Sequence, residues 1–220
     1  MNTASSALAL MLADARLPAA GHTQSAGLEP GLADGLDPRD VPSYCRTRLA
    51  TVMRTEAATA AVARHHVLAG EPLAPVEEAW AARTPSDAMR ATSRTLGRGL
   101  LRLARRAWPE AAAHWAPDAR PPRPAVLGAI AATSGMEPSD LALVVAYDDV
   151  QTVLSAALKL LPLDPADTAL WCRDLLPDMA RLAEHVGPLT STAHIPATGS
   201  PQIEKWAQAH ARTIRRLFSA

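Results

Sequence analysis

Prolines and glycines divide this chain into stretches the length of helices, and within them apolar residues recur every third or fourth position rather than every second one. The clearest case runs from Ser86 to Trp108. There Met89, Thr92, Leu96, Leu100, Leu103 and Ala107 keep a period of about 3.6 residues, while Arg94, Arg98, Arg102, Arg105 and Arg106 fall elsewhere on the surface. Alanine is the commonest residue and aromatics make up only 4% of the chain. Alanine loses least on entering a helix, whereas strands draw on β-branched and aromatic side chains. Spacing and composition together predict an all-α fold with no sheet.

The same signals place the individual elements. A first helix spans Ser5 to Ala15, stopped ahead of Pro18, and a short second one spans Ser25 to Asp34 with Gly35 past its end. Residues 37–70 open with acidic and proline capping residues and close at Gly70, which gives one long helix or two, with a bend near Thr55. Further helices are expected at Pro75 to Arg83, Ser86 to Trp108, Pro124 to Ser134 and Pro138 to Leu161. The last carries a core stripe of Val150, Val153, Leu154, Ala157, Leu158 and Leu161. Its polar stripe of Asp148, Thr152, Ser155 and Lys159 reads as a solvated face, with a protein-binding face as the alternative. Residues 163–187 supply one more helix, kinked at Pro177, where the ring removes a backbone donor.

Residues 1–186 thus make a single helical core domain, and residues 187–220 a linker and tail. The stretch 187–201 is rich in Pro, Gly, Ser and Thr and predicts an exposed linker. Beyond it, Ile203, Trp206, His210, Ile214 and Leu217 recur at spacings of three or four and predict an amphipathic tail helix. Each buried apolar side chain contributes about 2 kcal/mol, but ordering each residue costs about 1 kcal/mol or more. With that near-balance, the tail is expected to be mobile alone and ordered by a partner; a last core helix is the alternative.

Several function classes are disfavoured. Lys plus Arg equals Asp plus Glu at 22 each, so no overall field attracts nucleic acid or an anionic membrane. No apolar run reaches the roughly 18 residues of a membrane span. The apolar stretch Ala7 to Ala13 has no preceding Lys or Arg and is followed by Asp14 and Arg16, unlike a secretory signal. Cys45 and Cys172 are far apart and form no metal or redox pair, which suits a reducing cytoplasm. Around Ser25, a nucleophile elbow would need glycine where Thr23 stands, so Ser25 reads as a helix N-cap and no catalytic residue is expected. His65 and His66 are adjacent and point about 100° apart on a helix, while His114, His185, His194 and His210 are scattered, so no metal site is expected. Gly97-Arg98-Gly99 sits inside a helix and cannot cradle phosphate, and no cofactor is expected. One alternative class is an all-α small-ligand or regulatory module, with a pocket lined by Trp80, Trp108 and Trp171.

Against this background, "LADARLPAAGHTQSAGLE", residues 12–29, resembles the amino-terminal signature of the UreF family of urease accessory proteins. The agreement is at Leu12, Ala13, Asp14, Leu17, Pro18, Gly21, Ser25, Gly27, Leu28 and Glu29. "SRTLGRGLLRLA", Ser93 to Ala104, and "LSAALKLLPL", Leu154 to Leu163, are similar to two further family blocks. The ending "SPQIEKWAQAHARTIRRLF" matches at Pro201, His210, Arg216, Leu217 and Phe218, with Glu204 for an aspartate. Departures fall at Ala20, His22, Asp164, Pro165, Ala209, Ala211 and Ile214. The resemblance implies an all-helical homodimer that forms no bonds itself. Such a protein docks the nickel-carrying GTPase UreG and a second accessory protein, UreD (also called UreH), so that nickel reaches apo-urease. It marks Ser25, Gly27 and Glu29, the pair Arg94 and Arg98, and Glu204, Trp206, His210, Arg216, Leu217 and Phe218 as candidate partner contacts. Arg94 and Arg98 lie four apart, so one helical face offers two guanidinium forks to a partner's carboxylates or to the fold's own.

Overall fold

A computed structural model of the chain describes residues 3–14, 17, 23–213 and 217–218. Among these, helices α1 (Thr3–Leu12), α2 (Leu28–Ala33), α3 (Val41–Ala50), α4 (Val52–Ala69), α5 (Ala74–Ala82) and α6 (Asp87–Ala107) occupy the first half. They are followed by α7 (Pro109–Ala112), α8 (Arg123–Thr133), α9 (Pro138–Leu160), α10 (Pro165–Val186) and α11 (Pro201–Ala211). No described residue is in a strand, so the all-α expectation holds.

The centre is the crossing of α4 and α8, and small residues decide it. Ala57, Ala58, Ala60, Ala61 and Ala63 of α4 are buried, as are Ala125, Gly128, Ala129 and Ala132 of α8, and the two helices pack extensively on each other. A Cβ on Gly128 would lie 2.5 Å from the Ala60 carbonyl oxygen and 2.6 Å from the Ala63 Cβ, so the backbones approach as closely as a bare glycine permits. Gly97 of α6 is equally constrained, since its Cβ would fall 2.1 Å from the Pro121 carbonyl oxygen. Around this crossing pack α9 on α4, α10 on α9 and α3, and α1 on α9. Ser5 of α1 ties down the start of α9, donating to Asp140 Oδ2 at 2.6 Å and accepting from the Glu137 amide at 3.0 Å.

By length and composition α9 is apolar enough to cross a membrane, but it lies inside the bundle with much of its surface covered by neighbouring helices. Its Val150, Val153, Leu154 and Ala157 are buried as expected, whereas Leu158 is 38% exposed.

The boundaries differ from expectation in instructive places. Helix α1 ends at Leu12 rather than Ala15, and α2 begins at Leu28 rather than Ser25. Residues 37–70 form a short 3-10 turn and two helices, and the break falls at Thr51 (φ −121°, ψ −94°), not near Thr55. Thr51 turns its hydroxyl back to the Thr47 carbonyl at 2.6 Å, while Thr55 stays helical and donates to Pro196 O at 2.9 Å. Helix α10 runs on through Pro177, whose exposed position leaves the carbonyl one turn earlier open to water.

The largest departure concerns the stretch expected to be an exposed linker. Arg83 Nε donates to the Ile195 carbonyl at 2.6 Å, Thr198 Oγ1 donates to Thr51 O at 2.8 Å, and Ile195 is buried. Its irregular backbone still needs hydrogen-bond partners, and helices α4 and α5 supply them.

Candidate functional site

The turn that precedes α2 is built for close contact. Ala26 (φ 50°) and Gly27 (φ 83°) both take left-handed conformations, and the Tyr44 hydroxyl donates to the Ala26 carbonyl at 2.6 Å. A Cβ on Gly27 would stand 2.7 Å from that hydroxyl oxygen, so glycine is required twice over, for its φ and for its space. Ser25 is not the N-cap expected of it, a place that Gly27 takes. Its hydroxyl accepts from the Glu29 amide at 3.4 Å, three residues ahead of the helix proper.

Onto α2 and α6 the tail helix α11 docks, and two carboxylates of the α2 region receive it. Glu29 accepts from the backbone amides of Leu217 at 2.7 Å and Phe218 at 3.0 Å, and its Oε2 lies 3.6 Å from His210 Nε2. Asp34 accepts from the Trp206 indole at 2.8 Å and from Lys205 and Gln202 at 3.1 Å each. The indole hydrogen bond, with Lys205 behind it, holds the Asp34 carboxyl below its ordinary value. Gly31 gives Trp206 room, since a Cβ there would be 3.1 Å from the indole ring, and Tyr44 meets the same ring at 5.8 Å between centroids. Ile203, Trp206, His210 and Phe218 are buried, whereas Leu217 is 63% exposed.

Of the residues singled out from sequence, Ser25, Gly27, Glu29, Trp206, His210, Leu217 and Phe218 therefore come together from opposite ends of the chain. Others do not. Glu204 is used within the tail, its Oε1 accepting from the Ser200 amide at 3.2 Å, and caps its own helix. Arg94 and Arg98 are exposed on α6, where the Arg94 guanidinium lies 5.9 Å from the centroid of the Trp80 ring. Neither forms an ion pair with a described residue. Arg216 lies outside the described residues.

Beneath the tail is a cavity of about 160 Å³, roofed by Ile203, Ala207 and His210 and reaching Ser25 and Gly27 on one side. Its floor is charged. Arg48 makes a bidentate pair with Asp149, at 2.8 Å from Nε and 2.6 Å from Nη2, with both side chains under a tenth exposed. Arg123 pairs with Asp148 at 3.1 Å. Glu56 Oε1 accepts from the Trp80 indole at 2.6 Å. Burial pushes the Glu56 carboxyl up to about 6, with the indole hydrogen bond pulling the other way. Burial likewise raises Asp148, against the pull of Arg123.

The expectation of a solvated stripe on α9 holds for half of it. Ser155 and Lys159 are exposed, the latter with its ammonium 5.2 Å from the centroid of the Phe218 ring, whereas Asp148 and Thr152 are half-buried and line the cavity. Periodicity identifies the face that is not apolar, but the tail and α6 cover part of it. Trp80, Trp108 and Trp171 do not line this cavity; Trp80 is wholly buried behind Glu56 instead. Arg48, Glu56, Arg123 and Asp149 escaped the sequence reading. Their one signal was charge at positions that the helical period assigns to the interior.

Neither thiol is poised for chemistry. Burial, with Asp149 nearby, pushes Cys45 up to about 12, and burial raises Cys172 as well. No group of three or more His, Cys, Asp or Glu among the described residues is arranged to hold a metal ion.

Comparison with known proteins adds to this geometry. A family model described as UreF matches residues 36–176. The chain is 36% identical over 215 residues to the urease accessory protein UreF of Mycobacterium sp. (strain JLS), covering 96% of this chain and 97% of that one. It is 35% identical over 214 residues to the counterpart in Mycolicibacterium vanbaalenii, with 96% and 97% covered. To that of Mycobacterium tuberculosis (strain ATCC 25177 / H37Ra) it is 34% identical over 217 residues, with the same coverage.

Proposed function

Because this chain belongs to the UreF family of urease accessory proteins, we propose that it acts in urease maturation as a non-catalytic scaffold. In this reading it docks the nickel-carrying GTPase UreG and the accessory protein UreD, so that nickel reaches apo-urease. It works in the cytoplasm as a homodimer. The observation that carries the reading is the convergence of the two chain ends: the turn Ser25 to Glu29 seats the tail, with Trp206, His210 and Phe218 buried at the joint and Leu217 exposed on the composite surface that results. Leu217, exposed at its edge, offers a partner an apolar contact beside polar groups that are already satisfied.

Such a surface assembles only when the tail is seated, so partner capture depends on tail docking. Co-purification tests this directly. Glu29→Ala releases the two tail amides and is expected to cut recovery of UreD and UreG at least tenfold while circular dichroism of the helical core stays unchanged. Undiminished recovery by the folded variant overturns the reading. Arg94→Glu with Arg98→Glu checks the second candidate element, and a selective loss of one partner would assign this face of α6 to it.

A further inference from the structure

The cavity beneath α11 has an unbalanced floor. Two guanidinium groups and three carboxylates line it. Each arginine has its own acid, Arg48 with Asp149 and Arg123 with Asp148, and the surplus carboxylate is Glu56. Glu56 receives one hydrogen bond, from an indole, and its second oxygen accepts none from a described residue. A half-buried carboxylate on the wall of an apolar cavity, served by one neutral donor, has lost part of the solvation that it had in water. The groups facing it are Arg48 from α3, Trp80 from α5, Arg123 from α8, and Asp148 and Asp149 from α9. His210 of α11 lines the same cavity from above.

The walls beside this floor are of another kind. Met53, Met89, Leu96, Val145 and Ile203 make them apolar, suited to an alkyl stem rather than a hydrated ion. The volume of about 160 Å³ is close to the roughly 150 Å³ that admits a benzene-sized guest.

We infer that this cavity is a binding site for a small organic monocation, an alkylguanidinium or alkylammonium group whose charge meets Glu56 and whose stem lies along the methionine and leucine wall. The cation restores charge balance to the floor, and the seated tail shields the pair from water, which strengthens it. A free small molecule and the Arg or Lys side chain of a partner polypeptide carry the same chemistry. The inference rests on the cavity alone and not on the proposed scaffold role.

Thermal melting and titration calorimetry of the full-length protein test it, with ethylguanidinium and propylammonium as probes and neutral propionamide as the control at matched ionic strength. The cations are expected to raise Tm and propionamide to leave it unmoved. Glu56→Gln keeps an acceptor for Trp80 but removes the charge, and should weaken cation binding at least tenfold. Thr152→Leu keeps the charge but fills the space, and should weaken it likewise. Equal shifts from cation and amide, no shift from either cation, or undiminished binding by folded Glu56→Gln overturns the inference. A blocked pentapeptide with one central arginine separates the sources. Binding tighter than that of ethylguanidinium assigns the site to a partner's side chain, and binding of the free cation alone assigns it to a small molecule. Loss of cation binding with partner capture intact would leave the scaffold reading standing, and the converse would leave this one.

Discussion

The α4–α8 crossing and the tail site hold helices together by opposite means. At the crossing, alanine faces alanine and Gly128 lets the Ala60 carbonyl approach, so cohesion comes from many small undirected contacts with no polar group to satisfy. At the tail, Glu29 and Asp34 collect five hydrogen bonds from α11 and the residues after it, and the floor below is ionic. Dispersion contacts are lost together or not at all, whereas directed bonds to exposed or half-buried carboxylates exchange readily for water. The molecule thus has a close-packed centre and, at its edge, a joint in which directed hydrogen bonds surround the buried Ile203, Trp206 and Phe218.

The contrast is sharpest at Gly128. Gly128→Val forces backbone apart at the crossing and is expected to cost about 5 kcal/mol or prevent folding, read as loss of soluble protein and of its cooperative melt. A mild effect would mean that the crossing yields as the tail does. Next comes the ionic floor. Arg48→Ala strands the buried Asp149 and should cost about 3–5 kcal/mol in urea unfolding, while Arg48→Met with Asp149→Leu should cost clearly less.

Glu56 gives a smaller effect that depends on pH. Its carboxyl is raised in the folded state from 4.5 to about 6, so ionisation opposes folding. The penalty is absent below the unfolded value and complete above the folded one. Glu56→Gln should therefore stabilise the protein by about 2 kcal/mol at pH 7.5 and by nothing at pH 4, measured by urea melts at both. Ligand-free conditions matter here, since a bound cation would shrink the difference. Smallest in overall stability is Glu29→Gln, expected to loosen tail docking by about 1 kcal/mol and to raise tryptic cleavage after Lys205 and Arg212 roughly fivefold with little change in Tm. If the whole protein melted earlier instead, the tail would belong to the same cooperative unit as the crossing.

Much of the architecture was legible in advance. The arginines of α6 lie off its apolar stripe, Ser86 caps that helix by accepting from the Met89 amide at 3.3 Å, and Gly70 ends α4 in a left-handed turn, all as local chemistry dictates. Ser25, Gly27 and Glu29 were also legible, as a motif without a mechanism. What they do became visible only when Glu29 was seen to hold the amides of Leu217 and Phe218, 188 and 189 residues away. The break at Thr51, the fastening of residues 187–200 and the charged floor were not legible, because each involves side chains from distant parts of the chain.

Sequence by itself determined the helical class, most element boundaries, the family and the two chain ends that matter, because periodicity, capping and turn preference act over a few residues. Tertiary structure alone decided that those ends meet and that Asp148 faces a cavity rather than water. It also decided that Glu56 faces the same cavity while both nearby arginines pair with other acids. Contacts between distant segments and the loss of solvent around a charge are properties of the packed molecule, and no local pattern encodes them.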